Sequence, residues 1–556
     1  AEEWFAATRF GLKFFQEYFD YPYPYHKYDQ LLVPEHAGGA MENVAAVTFS
    51  DQWLVQRGES TSKERDSRVM IIFHEMAHMW FGNLVTMRWW NGLWLNESFA
   101  TYMAALARTH YPPTADQAWI RFRKSFKDWA YTEDQLVTTH AIETPVPDTS
   151  KAFSNFDGIS YGKGASVLKQ LSFYLGAEIF RNGMRHYFKK HANGNTELAD
   201  FFSAMELASK KQMSNWLKEW ITKPGLNTVQ AEFHCQDGKI AGFSLQQSAP
   251  DSVPTIRSHK ARIGLYRKQE DKLARYHEAD ITYEEPQNPV PSFIGLTCPD
   301  LVYPNADDFD YVKVQIEPVS LATVKESLSR IDDRLIRTMI WGDLWQMVRD
   351  GELGNHTFAD LALTTLPDET DPEITEFVLT HLHGGSNSVV RYLTEDEKGK
   401  QLRQRMEDFY WQRLDAAKAG SEQQKILLDG YLRIAFSKKG LNRLRRIAEG
   451  EHLFPGLEVD QDRRWRLLRT LAEHQGETVR PLVQRDLKRD NSSRAQKNLL
   501  SIEAAMPDRQ KKRQMFQRLL SDDALTLAEQ RSIMWNLFPA WQESMKKKIA
   551  DLFYVS

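Results

Sequence analysis

Cysteine is scarce in this sequence of 556 residues. The only two, Cys235 and Cys298, exclude a disulfide framework and leave room for at most one bridge. We expect two buried free thiols, a pattern that leans towards a reducing compartment. The expected location is therefore cytoplasmic.

The sequence also lacks a large excess of charge of one sign, and it lacks long apolar runs. The formal net charge is −4, so no overall basic field is present to hold nucleic acid or an anionic membrane surface. No apolar run approaches the ~18 residues that span a bilayer, and the opening AEEWFAATRFGLKFF lacks the pattern of a signal peptide. We expect neither a nucleic-acid partner nor a membrane anchor.

The hydrophobic residues that are present (42% of the chain) predict several cores. A chain of this length suggests roughly three or four domains. Apolar residues recur at helical spacing early in the chain, change to a period of two from about Val229, and return to helical spacing beyond Ser320. The expected domains are 1–228, a β domain at 229–318 and a C-terminal helical domain at 319–556.

A metal-binding motif lies in the stretch FHEMAHMWFGNLVTMRWWNGLWLNESFATY. His74, Glu75 and His78 form His-Glu-x-x-His, and eighteen residues separate His78 from Glu97. Residues four apart share one face of a helix, so both imidazoles can bind one ion. Two histidines and a carboxylate leave the fourth position of a tetrahedral zinc open, which is typical of a catalytic site. We expect one Zn²⁺ per chain, held by His74, His78 and Glu97, with Glu75 as general base.

Two glycine-containing segments carry weaker signals. The run GGAMEN, with Glu42 as its carboxylate, indicates a turn about as readily as backbone passing close to a ligand. Gly158 to Ser166 has glycines like those of a phosphate loop, but only three residues separate Gly158 from Gly162, and Gly164 stands where Ser or Thr is required. We therefore reject nucleotide binding.

Together, GGAMEN, HEMAH with Glu97 in WLNESFA, and Tyr161 in YGKGA resemble the zinc aminopeptidases of the alanyl aminopeptidase and leukotriene-hydrolase type. The resemblance covers about the first 225 residues closely and extends more loosely through YPNADDFDY. It implies a multidomain α+β protein: a thermolysin-like, mostly helical zinc catalytic domain, a small β-sandwich, and a C-terminal α-helical superhelical domain. The implied activity is release of N-terminal amino acids from peptides with a free N-terminal amine.

The resemblance also implies roles for individual residues. The segment Gly39, Ala40, Met41, Glu42 and Asn43 would lie along the substrate. Within it, Glu42 would hold the free α-amino group together with Glu97, since a buried ammonium without a counter-charge is very costly. Tyr161 would stabilise the oxyanion of the tetrahedral intermediate as a catalytic residue beside Glu75. Family members also carry an N-terminal β domain that completes the amine site, and we expect such a domain to be absent from this chain.

Three alternatives use the same residues. A thermolysin-like endopeptidase shares the zinc chemistry, but GGAMEN argues against it. A non-catalytic scaffold built on an inactive enzyme fold should lack a ligand or base, whereas His74, Glu75, His78, Glu97 and Tyr161 are all present. Epoxide hydrolysis uses the same zinc, and the four-domain layout argues against it.

Overall fold

The computed structural model describes residues 2–384, 387–394, 396–539 and 542–548. They form two compact units. The first contains Ala1–Leu32, Ala40–Phe49 and Arg65–Gly354, and the second contains Val33–Gly39, Ser50–Glu64 and Asn355–Ser556.

The first 228 residues are mostly helical, as the spacing of apolar residues predicted. Helix α1 buries Ala7, Phe15 and Phe19 along one face. The helices are α1 (Glu2–Phe19), α2 (Asp51–Leu54), α3 (Ser62–Ala77), α4 (Leu93–His110), α5 (Ala118–Phe122), α6 (Asp128–Glu133), α7 (Thr149–Ala152), α8 (Gly164–Leu175), α9 (Ala177–His191), α10 (Leu198–Ser209) and α11 (Ser214–Trp220). Short 3₁₀ turns lie at Trp90–Gly92, Ala115–Gln117 and Phe153–Asn155, and π-helical turns at Arg123–Lys127 and Ile159–Lys163.

Two small sheets accompany these helices. Strands β1 (Asp29–Val33), β2 (Ala40–Met41) and β3 (Ala46–Ser50) form a sheet in the order β1-β3-β2, so β2 lies at an edge. Strands β4 (Val85–Met87) and β5 (Gly194–Thr196) pair in parallel. The edge position of β2 leaves one side of its backbone free of a neighbouring strand in the sheet.

The β region begins at Thr228, close to the predicted change of period at Val229. Its strands are β6 (Thr228–Gln236), β7 (Lys239–Ser248), β8 (His259–Gln269), β9 (Lys272–Tyr283), β10 (Gln287–Pro289), β11 (Leu301–Ala306) and β12 (Lys313–Val314), with a 3₁₀ turn at Pro291–Phe293. They form a four-stranded sheet, β10-β7-β6-β12, and a three-stranded sheet, β11-β8-β9. Asp237 and Gly238 connect β6 to β7 with positive φ angles of 52° and 73°, as expected for a two-residue hairpin turn.

The two cysteines are bonded to each other. Cys235, near the end of β6, forms a disulfide with Cys298, which precedes β11. The expectation of two free thiols is therefore wrong. Their Cα atoms lie 6.0 Å apart, within the usual span of a disulfide, because the β6–β7 hairpin and the segment before β11 come together although 63 residues separate them in sequence.

Helices α12 (Pro318–Ser327) and α13 (Arg334–Arg349), with a 3₁₀ turn at Leu328–Arg330 between them, complete the first unit. Compactness divides the molecule after Gly354, whereas the strands end at Val314. The division into domains at 228 and 318 stays a prediction. The last eight residues of the predicted C-terminal domain, 549–556, lie outside the described residues.

The second unit is helical. Its helices are α14 (Asn355–Thr365), α15 (Pro372–His383), α16 (Glu397–Ala416), α17 (Glu422–Ile434), α18 (Lys438–Glu449), α19 (Gln461–Gln475), α20 (Arg480–Arg489), α21 (Ser493–Ala505), α22 (Arg509–Ser521), α23 (Leu527–Asn536) and α24 (Glu543–Lys548), with 3₁₀ turns at Val389–Tyr392 and Gly476–Val479. Most of these helices begin at a side chain that accepts a hydrogen bond from a first-turn amide, which fixes where each starts. These caps are Asp371, Asp396, Ser421, Ser437, Asp460, Ser492, Asp508 and Thr526.

Among the described residues, no helix combines the length and apolar character needed to cross a membrane.

Candidate active site

Helix α3 begins with a capping box and carries the metal motif at its other end. The Thr61 amide donates to Glu64 Oε2 at 2.8 Å, and the Glu64 amide donates to Thr61 Oγ1 at 3.2 Å. This exchange satisfies amides that have no partner within the helix. His74 and Glu75 lie in the last turn and His78 follows directly after it, all three buried.

The three predicted ligands converge. Nε2 of His74 lies 3.0 Å from Nε2 of His78 and 3.2 Å from Oε2 of Glu97, and His78 Nε2 lies 3.5 Å from the same oxygen. Zinc ligands at ~2.1 Å in a tetrahedral arrangement lie about 3.4 Å apart. The spacing of these atoms therefore fits one such ion.

The second ring nitrogens support the same assignment. His78 Nδ1 lies 2.8 Å from Asn96 Oδ1 and 3.1 Å from the carbonyl of Phe81, and His74 Nδ1 lies 3.4 Å from Thr101 Oγ1. Because a carbonyl oxygen can only accept, Nδ1 of His78 must carry its proton. Its Nε2 lone pair then faces the cluster, as a metal ligand requires.

The charges within this cluster are strongly coupled. Burial lowers the pKa of His78, but the carboxylates of Glu42 and Glu97 outweigh burial and raise that pKa to about 10. Burial acts to raise the pKa of Glu97, but His78 and His74 outweigh it and hold this pKa below its usual range. The carboxylates of the site therefore favour a positive charge beside them, which a proton on His78 or a bound cation can supply.

Glu75 is placed differently from the ligands. Its carboxylate is buried, and among the described residues its Oε2 has no hydrogen-bond partner. Burial raises the pKa of Glu75 well above its usual range; His78 opposes this shift, while Glu42 and Glu97 add to it. A carboxylate of raised pKa with an unoccupied lone pair is suited to accept a proton.

Glu42 lies next to the same cluster. Ligand atoms of Glu42, Glu75 and His78 fall within 4.8 Å of one another. The Glu42 carboxylate accepts a hydrogen bond from Asn96 Nδ2 at 3.0 Å, and its backbone carbonyl accepts one from Asn83 Nδ2 at 2.9 Å. A half-buried carboxylate is therefore held in a fixed position beside the candidate metal site.

Two of the remaining residues of GGAMEN form a short strand. Ala40 and Met41 form β2, pairing with Phe49 and Thr48 of β3, and Gly39 directly precedes this strand. Asn43 donates from its amide to Thr48 Oγ1 at 3.3 Å. The segment is thus an exposed strand edge that leads into Glu42.

Tyr161 lies in the π-helical turn Ile159–Lys163, a conformation often found at functional sites. Its ring stacks on His74 with centroids 5.9 Å apart and planes 16° apart, and it lies 5.8 Å from the ring of Trp129. Burial, followed by the charge of Glu97, raises the pKa of the Tyr161 hydroxyl well above its usual value. The phenol therefore stays protonated and can donate.

Glycines around Tyr161 allow close helix contact. A Cβ at Gly164 would lie 1.9 Å from Ser98 Oγ, and one at Gly162 would lie 2.0 Å from the carbonyl of Phe126. Ser98, next to Glu97 in α4, donates to the carbonyl of Ser160 at 2.6 Å. Gly162 and Gly164 thus allow the turn that carries Tyr161 to pack against its neighbours, including α4.

Comparison with known proteins agrees with this geometry. Residues 5–220 match the Peptidase family M1 domain, and residues 301–552 match the ERAP1-like C-terminal domain. Residues 5–220 of the chain therefore form a peptidase family M1 domain. The resemblance to zinc aminopeptidases and the multidomain α+β fold expected from the sequence are therefore confirmed, and the M1 match coincides with the part of the chain that contains the site.

Several relatives of this M1 chain are named aminopeptidases. Aminopeptidase N of Streptomyces lividans is 36% identical over 543 residues, covering 96% of this chain and 63% of the relative. The leucyl aminopeptidase of Saccharolobus solfataricus is 39% identical over 223 residues, covering 40% of this chain and 28% of the relative. Tricorn protease-interacting factor F2 of Thermoplasma volcanium is 31% identical over 424 residues, covering 76% of this chain and 50% of the relative. The chain thus spans less than two thirds of the length of each.

One residue of the M1 site was missed from the sequence. Asn96 contacts both His78 and Glu42, but the motifs in the sequence assigned it no role. A polar amide in a helix whose other first-turn residues are Leu93, Trp94 and Leu95 was the available signal, since a buried amide needs partners.

Proposed function

We propose that this chain is a zinc-dependent aminopeptidase that releases N-terminal amino acids from peptides with a free N-terminal amine. The observation that carries the proposal is the carboxylate of Glu42, which lies beside Glu75 and His78 with its ligand atoms within 4.8 Å of theirs. A carboxylate at this distance can bind the α-ammonium of a substrate while the first peptide bond lies at the base and the metal ligands. An internal peptide bond has no such ammonium to pair with it.

His74, His78 and Glu97 would hold the ion, one per chain. A bound zinc supplies Lewis acidity to this cluster. The histidine tautomer fixed by the carbonyl of Phe81 supports this assignment, since it directs Nε2 of His78 towards Nε2 of His74 and Oε2 of Glu97.

Strand β2 would bind the substrate backbone. Gly39, Ala40 and Met41 present an edge without a second neighbour in the sheet order β1-β3-β2, and an extended peptide can add to such an edge by main-chain hydrogen bonds. Asn43 follows Glu42 and would close this part of the site. Glu42 and Glu97 would then bind the ammonium at the end of the strand.

Glu75 would act as general base and then as general acid. Its raised pKa, and an Oε2 that no described residue hydrogen-bonds, would allow it to accept a proton from the attacking water and deliver it to the leaving amine. The Tyr161 hydroxyl would donate a hydrogen bond to the oxyanion that forms on the oxygen of the attacked carbonyl group. The raised pKa of Tyr161 keeps this donor protonated.

An endopeptidase is the main competing reading. It would use His74, Glu75, His78 and Glu97 in the same way but would give Glu42 no ammonium to bind. The position of Glu42 beside the cluster favours the aminopeptidase, and so do the relatives named for that activity.

Two further expectations stay open. The N-terminal β domain implied by the family resemblance would add a polar side chain to the amine site, and assay of a longer chain tests that contribution. A cytoplasmic location stays a prediction, and the disulfide Cys235–Cys298 counts against it, because cytosolic thiols are normally kept reduced.

The test is hydrolysis of a panel of aminoacyl chromogenic amides, each with its N-acetylated twin, before and after zinc is removed and restored. We expect cleavage of the free-amine forms only, lost with the metal and regained with zinc. Glu75→Gln should keep the zinc and lose most turnover, because it replaces the proton acceptor without changing a ligand. Equal cleavage of the acetylated twins would show that Glu42 does not select a free amine.

A further inference from the structure

Asn96 connects the two halves of the candidate site. It lies in the first turn of α4, directly before Glu97, and only 8% of its surface is exposed. Its Oδ1 accepts a hydrogen bond from His78 Nδ1 at 2.8 Å, and its Nδ2 donates to Glu42 Oε1 at 3.0 Å. One rigid amide therefore bridges a metal ligand and the carboxylate assigned to the substrate amine.

We propose that Asn96 is a positioning residue that sets the distance between the metal site and the amine site, and so fixes which bond of the peptide reaches Glu75. This inference rests on the proposed function for the roles of Glu42 and His78. Asn96 touches neither the substrate nor the metal; it acts through these two side chains.

The donor and acceptor chemistry leaves one orientation of the amide. His78 must carry its proton on Nδ1 if Nε2 is to bind a metal, so the atom of Asn96 that faces it must be an acceptor. The other amide atom, Nδ2, then faces the carboxylate of Glu42, which can only accept when ionised. Both contacts are satisfied together, and rotating the amide by half a turn would break both.

The backbone holds Asn96 from its other side. Gly82 has a φ of +117°, and a Cβ placed there would lie 2.1 Å from Asn96 Oδ1. The turn after His78 is thus pressed against the amide oxygen that accepts from His78. Only glycine can adopt this conformation and leave space for the amide.

The contact to Glu42 matters because small displacements are costly in catalysis. Binding that places the reacting carbonyl 1 Å away from its position can cost ~100-fold in rate. A carboxylate directly after strand β2 and a histidine directly after α3 come from different elements, so each could shift independently. Because the Asn96 side chain is hydrogen-bonded to both Glu42 and His78, the position of α4 sets the distance between them.

The proposal predicts different effects for two substitutions. Asn96→Ala removes both contacts, whereas Asn96→Asp keeps an oxygen that can accept from His78 and places a carboxylate against that of Glu42. Asn91→Ala is the matched control: Asn91 lies just before α4 and donates to Glu143 Oε1 at 2.8 Å, outside the site. Melting temperature is recorded for every variant.

Zinc affinity measured by chelator competition reads the contact with His78. Loss of such a partner typically weakens metal binding ~10–100-fold, and we expect about tenfold for Asn96→Ala, because the Phe81 carbonyl still accepts from Nδ1 at 3.1 Å. Asn96→Asp should stay within about threefold of the unchanged chain. This measurement does not depend on turnover.

The second readout is KM and kcat for a free-amine amide at saturating zinc. Both Asn96 variants should raise KM about tenfold or more, the usual effect of losing a hydrogen bond to a charged group, whereas Asn91→Ala should leave KM and zinc affinity unchanged. Unchanged zinc affinity in Asn96→Ala, or an unchanged KM in Asn96→Asp, would overturn the proposal. Equal weakening of zinc in both variants would do so too, because it would indicate a packing role. If Asn96→Ala fails to fold, Asn96→Asp decides alone.

Failure of the proposed function has a different signature. In that case the unchanged chain, loaded with zinc, does not cleave free-amine amides. A chain that cleaves them normally while the Asn96 variants also do so normally would refute only the positioning role.

Discussion

Replacing Tyr161 with phenylalanine removes the proposed oxyanion donor and, with the same hydroxyl, its hydrogen bond to Glu97. The ring is held by its stack on His74 at 5.9 Å, by Trp129 at 5.8 Å and by Phe156 at 6.5 Å, and phenylalanine preserves those contacts. The hydroxyl is the only group deleted. The change is therefore a direct test of what that hydroxyl does.

The expected loss follows from the role. Removing one hydrogen-bond donor to an oxyanion costs ~2.7–4 kcal/mol of transition-state stabilisation, or about 100–1000-fold in kcat. Because the oxyanion exists only in the transition state and the intermediate, KM should change little. Burial and the charge of Glu97 raise the pKa of Tyr161, so this residue should cause no fall in activity as pH rises to 9.

The assay is steady-state hydrolysis of the best free-amine amide between pH 6 and 9, with zinc content measured for each sample. We expect Tyr161→Phe to show a reduced kcat, a similar KM and an unchanged shape of the alkaline side of its pH profile. A kcat within tenfold of the unchanged chain at equal zinc content would refute the assignment of Tyr161 as oxyanion donor.

Other predictions address selectivity and stability. Glu42→Ala should lower kcat/KM for free-amine amides by at least the ~10–100-fold expected for a hydrogen bond to a charged group and bring the ratio of free to acetylated rates towards one; a preserved ratio would exclude Glu42 as the amine-binding group. Cys235→Ser should destabilise the β region by about 4 kcal/mol, the chain-entropy value for a loop closed across 63 residues, and an identical melting curve with and without reductant would contradict the disulfide. Burial, with repulsion from Arg433, lowers the pKa of His383 to about 3. This ring therefore stays neutral in the folded chain, whereas the unfolded chain gains a proton on it below pH 6.5, so the free energy of unfolding decreases as pH falls. At pH 5 that loss is about 2 kcal/mol for 1.5 pH units, so His383→Gln should flatten the fall in melting temperature between pH 7.5 and 5, and parallel curves would contradict the assignment.

The metal cluster could be predicted because its information is local. His74 and His78 share a helix, so their spacing alone places two rings on one face. Helix and strand content followed from the period of apolar residues for the same reason. The role proposed for Glu42 rests on the family resemblance, since GGAMEN by itself indicates a turn equally well.

The features that sequence reasoning did not find depend on distant segments meeting. Cys235 and Cys298 are bonded because β6 and the segment before β11 come together, and no spacing rule gives that approach. The spacing of Gly162 and Gly164 excluded a phosphate loop but did not indicate that their lack of a Cβ serves contact with Phe126 and Ser98. A glycine pattern indicates close approach of the backbone but not what approaches it.

Helix α4 shows how one element can organise such a site. Asn96 contacts Glu42 and His78, Glu97 faces the two histidines, Ser98 holds the turn that carries Tyr161, and Thr101 contacts His74 Nδ1. At 100° per residue, Asn96, Glu97 and Ser98 point in three different directions, so these polar residues cannot share one solvent-facing side. All four are buried, and each has its partner in another part of the fold. A helix that is buried over most of its length and carries polar residues in several directions is therefore expected to serve as the common support of the site, and a small change in its position should alter metal binding, amine binding and oxyanion stabilisation together.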